Sequence, residues 1–282
     1  MMIATSNSNQ RVLNIAIFLV LCLGVFIAVA PLLYMASTAL GGVAYVQTYP
    51  PRLIPETINF ENFEQAFANR NFLRAFVNSA GVAIATSLMV TVLASTMAYS
   101  FARFEFRGKK IIFGGLLLMI MIPGVVLLIP QFILAKNLGL LNSLPGIVLV
   151  YSAGPLAFNT FLLRGFFENL PRELEESAII DGASPFTVFW RVMLPLAAPA
   201  ISTVAVFSFL GAWDEYLLAL NFLTTESLRT LPVAIANFRG QHASNWGLVF
   251  AGSLTAVIPT ILLFVFFQRY FIQGITSGGV RG

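Results

Sequence analysis

The sequence predicts an all-α polytopic membrane protein with six transmembrane helices, and three observations carry that prediction. Hydrophobic residues fill 58% of the 282 positions and charged residues only 10%, with a mean hydropathy of +0.85. A soluble domain of this size could not hold that balance in water. Five runs, residues 15–38, 78–101, 111–133, 147–163 and 248–267, contain no charged residue, and each approaches or exceeds the roughly 20 residues a helix needs to cross a hydrocarbon layer about 30 Å thick. A sixth run, 199–222, is apolar except for Asp214 and Glu215 near its far end; acids inside a span are often functional.

The first run lacks a small-residue cleavage site after a short apolar core, so it reads as a retained anchor rather than a signal peptide. Cys22, the only cysteine, lies inside it. It reads as a small buried apolar residue, and a lone cysteine supports neither a disulfide framework nor a thiolate metal cluster. The third run holds Pro123 and Pro130, and the last holds Pro259. Each removes a backbone hydrogen bond and invites a kink, which suits a pathway that opens and closes.

Six spans put both termini on one side of the membrane. With the termini inside, Arg11, Arg103, Arg107, Lys109, Lys110, Arg164, Arg172, Arg191, Arg269 and Arg281 are cytoplasmic. Arg52, Arg70, Arg74, Lys136, Arg229 and Arg239 remain outside, a split of ten against six that follows the positive-inside rule. The densest basic segment, residues 103–110, is then internal. The net charge of +4 and pI near 9.5 therefore belong to membrane orientation, not to nucleic-acid binding.

Two hydrophilic segments become external: 41–73, with its Pro50-Pro51 step, and 224–246. The longest internal one is 168–198, and its local chemistry specifies helix, turn, helix. Pro171 suits a first helical turn, Gly182 a left-handed C-cap, and Ser184 followed by Pro185 an N-cap with a first-turn proline. With acids on one face and Ala178, Ile179 and Ile180 on another, this element reads as a docking surface rather than a connector.

In this loop the chain resembles the permease subunits of bacterial ABC importers. Their signature runs E-A-A, three residues, Gly, nine residues, Ile, one residue, Leu-Pro. Glu176, Ser177, Ala178, Gly182, Val192, Leu194 and Pro195 fall in register, with Ser177 in place of alanine and Val192 in place of isoleucine. The resemblance extends over nearly the whole chain and is closest to carbohydrate permeases of the maltose-permease type. It includes Asn78-Ser79 opening the second run, A-Y-S-F-A-R-F-E-F-R-G-K-K at its end, M-I-P-G-V-V-L-L-I-P in the third, and the tail Q-R-Y-F-I-Q-G-I-T-S-G-G-V-R-G.

The resemblance implies a type I ABC importer permease fold in a bacterial or archaeal cytoplasmic membrane. It also implies a second homologous permease, two ATP-binding subunits and an extracytoplasmic solute-binding protein as partners, with a sugar or glycoside as substrate. Disaccharides, glycerol-linked sugars and osmoprotective glycosides all fit. On this reading the chain comprises a cytoplasmic segment 1–14, a first helix with external segment 15–73, a permease core 74–272 carrying the coupling loop 168–198, and a cytoplasmic tail 273–282.

Chemistry for hydrolysis is expected elsewhere. No G-x-x-x-x-G-K-S/T phosphate loop occurs, Gly108-Lys109-Lys110 being the nearest string, and His242 is the only histidine. The expectation is that this chain binds no cofactor or metal and has no catalytic residue, while ATP and Mg are used by partner subunits. Glu175, Glu176, Ser177, Ala178, Asp181, Gly182, Leu194 and Pro195 are the candidate coupling residues, with Glu176 expected to meet a basic residue of the ATPase. Asn159, Trp213, Asp214 and Glu215 are the candidate substrate pathway, expected to face a cavity between the two permeases. Gly240, Gln241 and His242 are implied to help release substrate from the binding protein. Two other readings stay open at this level: a proton- or sodium-coupled transporter using Asp214 and Glu215, and a membrane-embedded enzyme, which would need those adjacent acids to converge.

Overall fold

The computed structural model describes residues 6–41, 54–55, 57–239 and 245–278, with side chains from 10 to 268. Among the described residues thirteen α-helices run in order: α1 Ser6–Leu40, α2 Glu61–Ala68, α3 Arg70–Arg103, α4 Lys109–Ile120, α5 Leu128–Asn137, α6 Leu144–Asn169, α7 Glu173–Ile180, α8 Pro185–Val188, α9 Leu194–Leu196, α10 Ala198–Trp213, α11 Leu217–Phe222, α12 Leu231–Ala236 and α13 Trp246–Gly278. No strand occurs among the described residues.

Among the described residues four helices (α1, α3, α6 and α13) are long and apolar enough to cross a membrane, and two bent pairs raise the number to six if each is one span. The sequence places the first bend. Pro123 has no N–H to offer the Met119 carbonyl and biases Ile122 away from helix, so α4 stops and the chain turns through 100° into Gly124–Asn137. The second pair, Pro185–Leu196 with Ala198–Trp213, bends by 80° at Ala197. Pro130 and Pro259, expected to kink their helices, sit inside the unbroken α5 and α13. The run 199–222 also departs from expectation: it is two helices, because the chain leaves α10 at Asp214 and starts α11 only at Leu217.

The chain divides into two compact units, Met1–Asn69 with Ile235–Thr255, and Arg70–Ala234 with Ala256–Gly282. α13 contributes to both. In the first unit, Asn62 is fully buried and its Nδ2 donates to the Ala39 carbonyl at 2.9 Å. Gly247 leaves room for that amide, since a Cβ there would lie 2.5 Å from Asn62 Oδ1. Every described side chain of α1 from Gln10 to Val29 is exposed, the surface of a helix whose solvent is lipid. Cys22 is among them, so the expectation of a buried cysteine is corrected.

In the second unit α3 is the central helix, packing on α6 and α10. Small residues make this possible: Ala83, Ala94 and Ala98 are fully buried on α3 and let neighbouring backbones come close. Ser87 ties α3 to α10 by donating to the Ala205 carbonyl at 2.6 Å. Asn78 and Ser79 grip the chain before α12. Asn78 Nδ2 donates to the carbonyls of Ser227 and Arg229, both at 3.0 Å, and the Ser79 hydroxyl accepts from the Leu231 amide at 2.8 Å.

Candidate functional site

The segment after α6 folds as its local chemistry dictates. α7 begins with Glu173, Glu175 and Glu176 in its first turn, where carboxylates favour the positive end of the helix dipole. It closes in a Schellman turn: the Gly182 amide donates to Ile179 O at 2.9 Å and the Ala183 amide to Ala178 O at 3.0 Å. Gly182 has φ +86°, the left-handed conformation that glycine adopts without strain. Ser184 then caps α8, accepting from the Thr187 amide at 3.3 Å, with Pro185 in the first turn. Pro171 differs from expectation: it precedes Arg172, the N-cap of α7, and lies outside the first turn.

Beyond α8 the chain widens into one π turn, Phe189–Met193, before Leu194 and Pro195. Pro195 has no N–H for the Arg191 carbonyl, and a widened turn accommodates that gap. The turn also points Phe189 and Met193 inward, into a core with Tyr99, Ala102, Leu163, Phe167 and Val204; Ala178, Val192 and Leu194 pack against it. The loop is thus seated on α3, α6 and α10. Its outer face keeps Ile179, Ile180 and Phe186 exposed, Ile180 at 85%, beside exposed Glu176, Ser177 and Asp181. Ala178 faces inward, so the expected apolar docking face is reduced to its isoleucines and joined by Phe186. Nearby, the Lys109 ammonium donates to Glu105 at 2.8 Å and holds that exposed carboxyl below its usual range.

A cavity of about 430 Å³ opens among α5, α6, α10 and α11, with Gly124, Gly154 and Gly211 in its wall. Its polar groups are Gln131, Tyr151, Ser208 and Glu215. Glu215 is held from three directions: Oε2 accepts from the Tyr151 hydroxyl at 2.6 Å and the Ala219 amide at 3.0 Å, and Oε1 accepts from the Leu218 amide at 2.7 Å. The Gln131 amide makes no hydrogen bond to another described residue. Apolar walls with a few convergent polar groups suit a small polar ligand.

The four expected pathway residues separate. Glu215 lines the cavity, and Asp214 is exposed at the end of α10. Asn159 and Trp213 are 3% and 2% exposed, so the expectation that they face a cavity between subunits is corrected. Asn159 donates to Ser208 Oγ at 3.3 Å. Trp213 stacks on Phe209, meets Phe76 edge-on, and donates its indole N–H to Ala256 O at 3.1 Å; packing within the chain uses both its face and its edge. Gly240, Gln241 and His242 lie outside the described residues. Tyr151, Gln131 and Ser208 were not singled out from the sequence; a lone hydroxyl or amide in an apolar run was the only signal.

The adjacent acids do not converge, as paired acid–base work would need. Glu215, with both oxygens engaged by three donors, is a bracket between α6 and α11. Among the described residues no group of three or more His, Cys, Asp or Glu could hold a metal ion.

Comparison with known proteins agrees with this geometry. The chain is 38% identical over 257 residues to the trehalose transport system permease protein SugB of Mycobacterium tuberculosis, covering 90% of this chain and 93% of that one. It is 33% identical over 252 residues to the sulfoquinovosyl glycerol transport system permease protein SmoH of Agrobacterium fabrum, covering 89% and 88%. A chain from the crystal structure of a bacterial ABC transporter that imports the acidic polysaccharide alginate superimposes with a TM-score of 0.83 at 23% identity, over 94% of this chain and 98% of that one, and so shares the fold. The sequence profile of the binding-protein-dependent transport system inner membrane component family matches residues 90–277, and the chain belongs to that family.

Proposed function

We propose that this chain is a multi-pass permease subunit of an ATP-driven importer for a sugar or glycoside, and that it works by alternating access. The observation that carries the reading is the cytoplasmic helix-turn-helix, which is rooted in the core of α3, α6 and α10 and leaves Ile179, Ile180 and Phe186 uncovered. Sugar as substrate class rests on relatives that are trehalose and sulfoquinovosyl glycerol permeases. ATP and Mg are used by two partner ATPases, one of which docks on this loop, with Glu176 meeting a basic residue and Gly182 as the turn between the two docked helices. A second permease completes the path, with both termini of this chain cytoplasmic. An extracytoplasmic binding protein delivers the sugar to the segment containing Gly240, Gln241 and His242.

Opening and closing of the ATPase dimer moves the docked loop, and differential docking in the two states biases the spans between inward and outward access. Glu215, Tyr151 and Gln131 line the cavity through which sugar hydroxyls pass. The test is uptake of labelled sugars by proteoliposomes holding the complete complex with its binding protein. ATP-dependent accumulation is expected; accumulation driven by an ion gradient without ATP would overturn the reading.

A further inference from the structure

Resting on that reading, we propose that Arg103 is a positioning residue for coupling: its ion pair with Glu175 clasps α7 to the end of α3, so that the loop and α3 move as one body. Arg103 is the last residue of α3. Its Nε lies 2.8 Å from Glu175 Oε1, and the two side chains are only 5% and 13% exposed. The same guanidinium donates through Nη2 to the Leu170 carbonyl at 2.7 Å, fixing the connector that leads from α6 into α7. A guanidinium presents Nε and Nη2 in one rigid plane, so the ion pair and the carbonyl bond share a fixed geometry, whereas an ammonium is a point charge on a flexible stem.

One turn earlier on α3, Tyr99 grips the second half of the loop. Its ring lies 4.9 Å from that of Phe189 and 5.7 Å from that of Phe167. The final turn of α3 therefore holds both arms of the helix-turn-helix, α7 through charge and the segment after α8 through aromatic packing. Among the described residues no other ion pair joins α7 to the rest of the chain. α7 otherwise rests on Ala178, while its Ile179 and Ile180 point away.

A pair this desolvated is a weak source of stability, since well-packed apolar residues of similar volume often replace one without loss. It does fix direction. Without it α7 keeps its helix and its outer face but loses its fixed orientation on α3, so that movement imposed from below is dissipated at the loop.

The test uses the full complex in proteoliposomes and reads sugar transported per ATP hydrolysed. The double variant Arg103→Met with Glu175→Leu should assemble with ATPase activity near wild type, while sugar per ATP falls about tenfold, within the range of a coupling free energy between sites. Arg103→Lys, which keeps the charge and loses the fork, should lie between the two. A wild-type ratio in the double variant would overturn the proposal, as would failure of both variants to assemble, which would assign the pair to folding. A second arm places cysteines at 103 and 175 in a Cys22→Ala background and joins them with a short bis-methanethiosulfonate. The joined complex should keep transporting; uptake that stops on joining and returns on reduction would show that the clasp must open. Absence of ATP-driven uptake in the unmodified complex counts against the functional reading itself and is distinct from either result.

Discussion

The Tyr151 hydroxyl donates to Glu215 at 2.6 Å, joining the first third of α6 to the break between α10 and α11. The bond makes Glu215 part of the cavity wall and holds the carboxylate in a fixed place where the helix is interrupted. Tyr151→Phe removes one of its three donors and should lower stability by about 1.5–3 kcal/mol, the size of a hydrogen bond to a charged group. A lower thermal midpoint of the purified complex, with reduced uptake, is the expected result; an unchanged midpoint would mean that the bond carries little.

Two glycines of α6 should respond in opposite ways. A Cβ at Gly146 would lie 2.0 Å from Leu140 O, whereas one at Gly154 meets nothing within 4 Å. Gly146→Ala should destabilise by about 1–3 kcal/mol or more through overpacking. Gly154→Ala should leave the folded yield near wild type and act only on uptake, because it narrows the cavity. Equal loss of solubilised protein from the two variants would contradict this geometry.

The turn of the coupling loop separates backbone strain from packing. A Cβ on Gly182 meets nothing within 4 Å, so Gly182→Ala is opposed only by its left-handed backbone, by about 1–2 kcal/mol. Ser184→Ala removes the cap of the next helix and should cost about 1 kcal/mol. Both should shift protease sensitivity within the loop while the transmembrane helices stay protected, as limited proteolysis would show. Protection of the loop equal to wild type would place its stability elsewhere.

Much of this was legible in the sequence because it is local. The apolar runs mark the spans, and Gly182, Ser184 and Pro185 specify the turn and second helix within a few residues of where they act. The misses depend on residues distant in sequence. Arg103 reads as one more positive charge at the end of a span until folding brings Glu175 beside it. Trp213 next to two acids reads as a pathway residue until Phe76, Phe209 and the Ala256 carbonyl occupy its ring and N–H. Pro123 announced its bend and Pro259 did not, because neighbouring helices decide whether a proline bends a membrane helix or is tolerated within it.

Shortening the segment proposed to meet the binding protein tests the handover. Deleting residues 240–243 should leave assembly and ATPase turnover intact while slowing transfer of sugar from the binding protein, measured as uptake against binding-protein concentration. Wild-type uptake at every concentration would sink that assignment.

The central claim is that ATP drives sugar movement through this chain by way of the loop at Gly182. Its most direct test compares ATP hydrolysis and labelled-sugar accumulation in proteoliposomes holding the complete complex, with the wild-type chain or with Gly182→Asp. The account predicts ATP-dependent accumulation in the wild type, and continued hydrolysis with little accumulation in the variant. Accumulation by Gly182→Asp at the wild-type rate would contradict it.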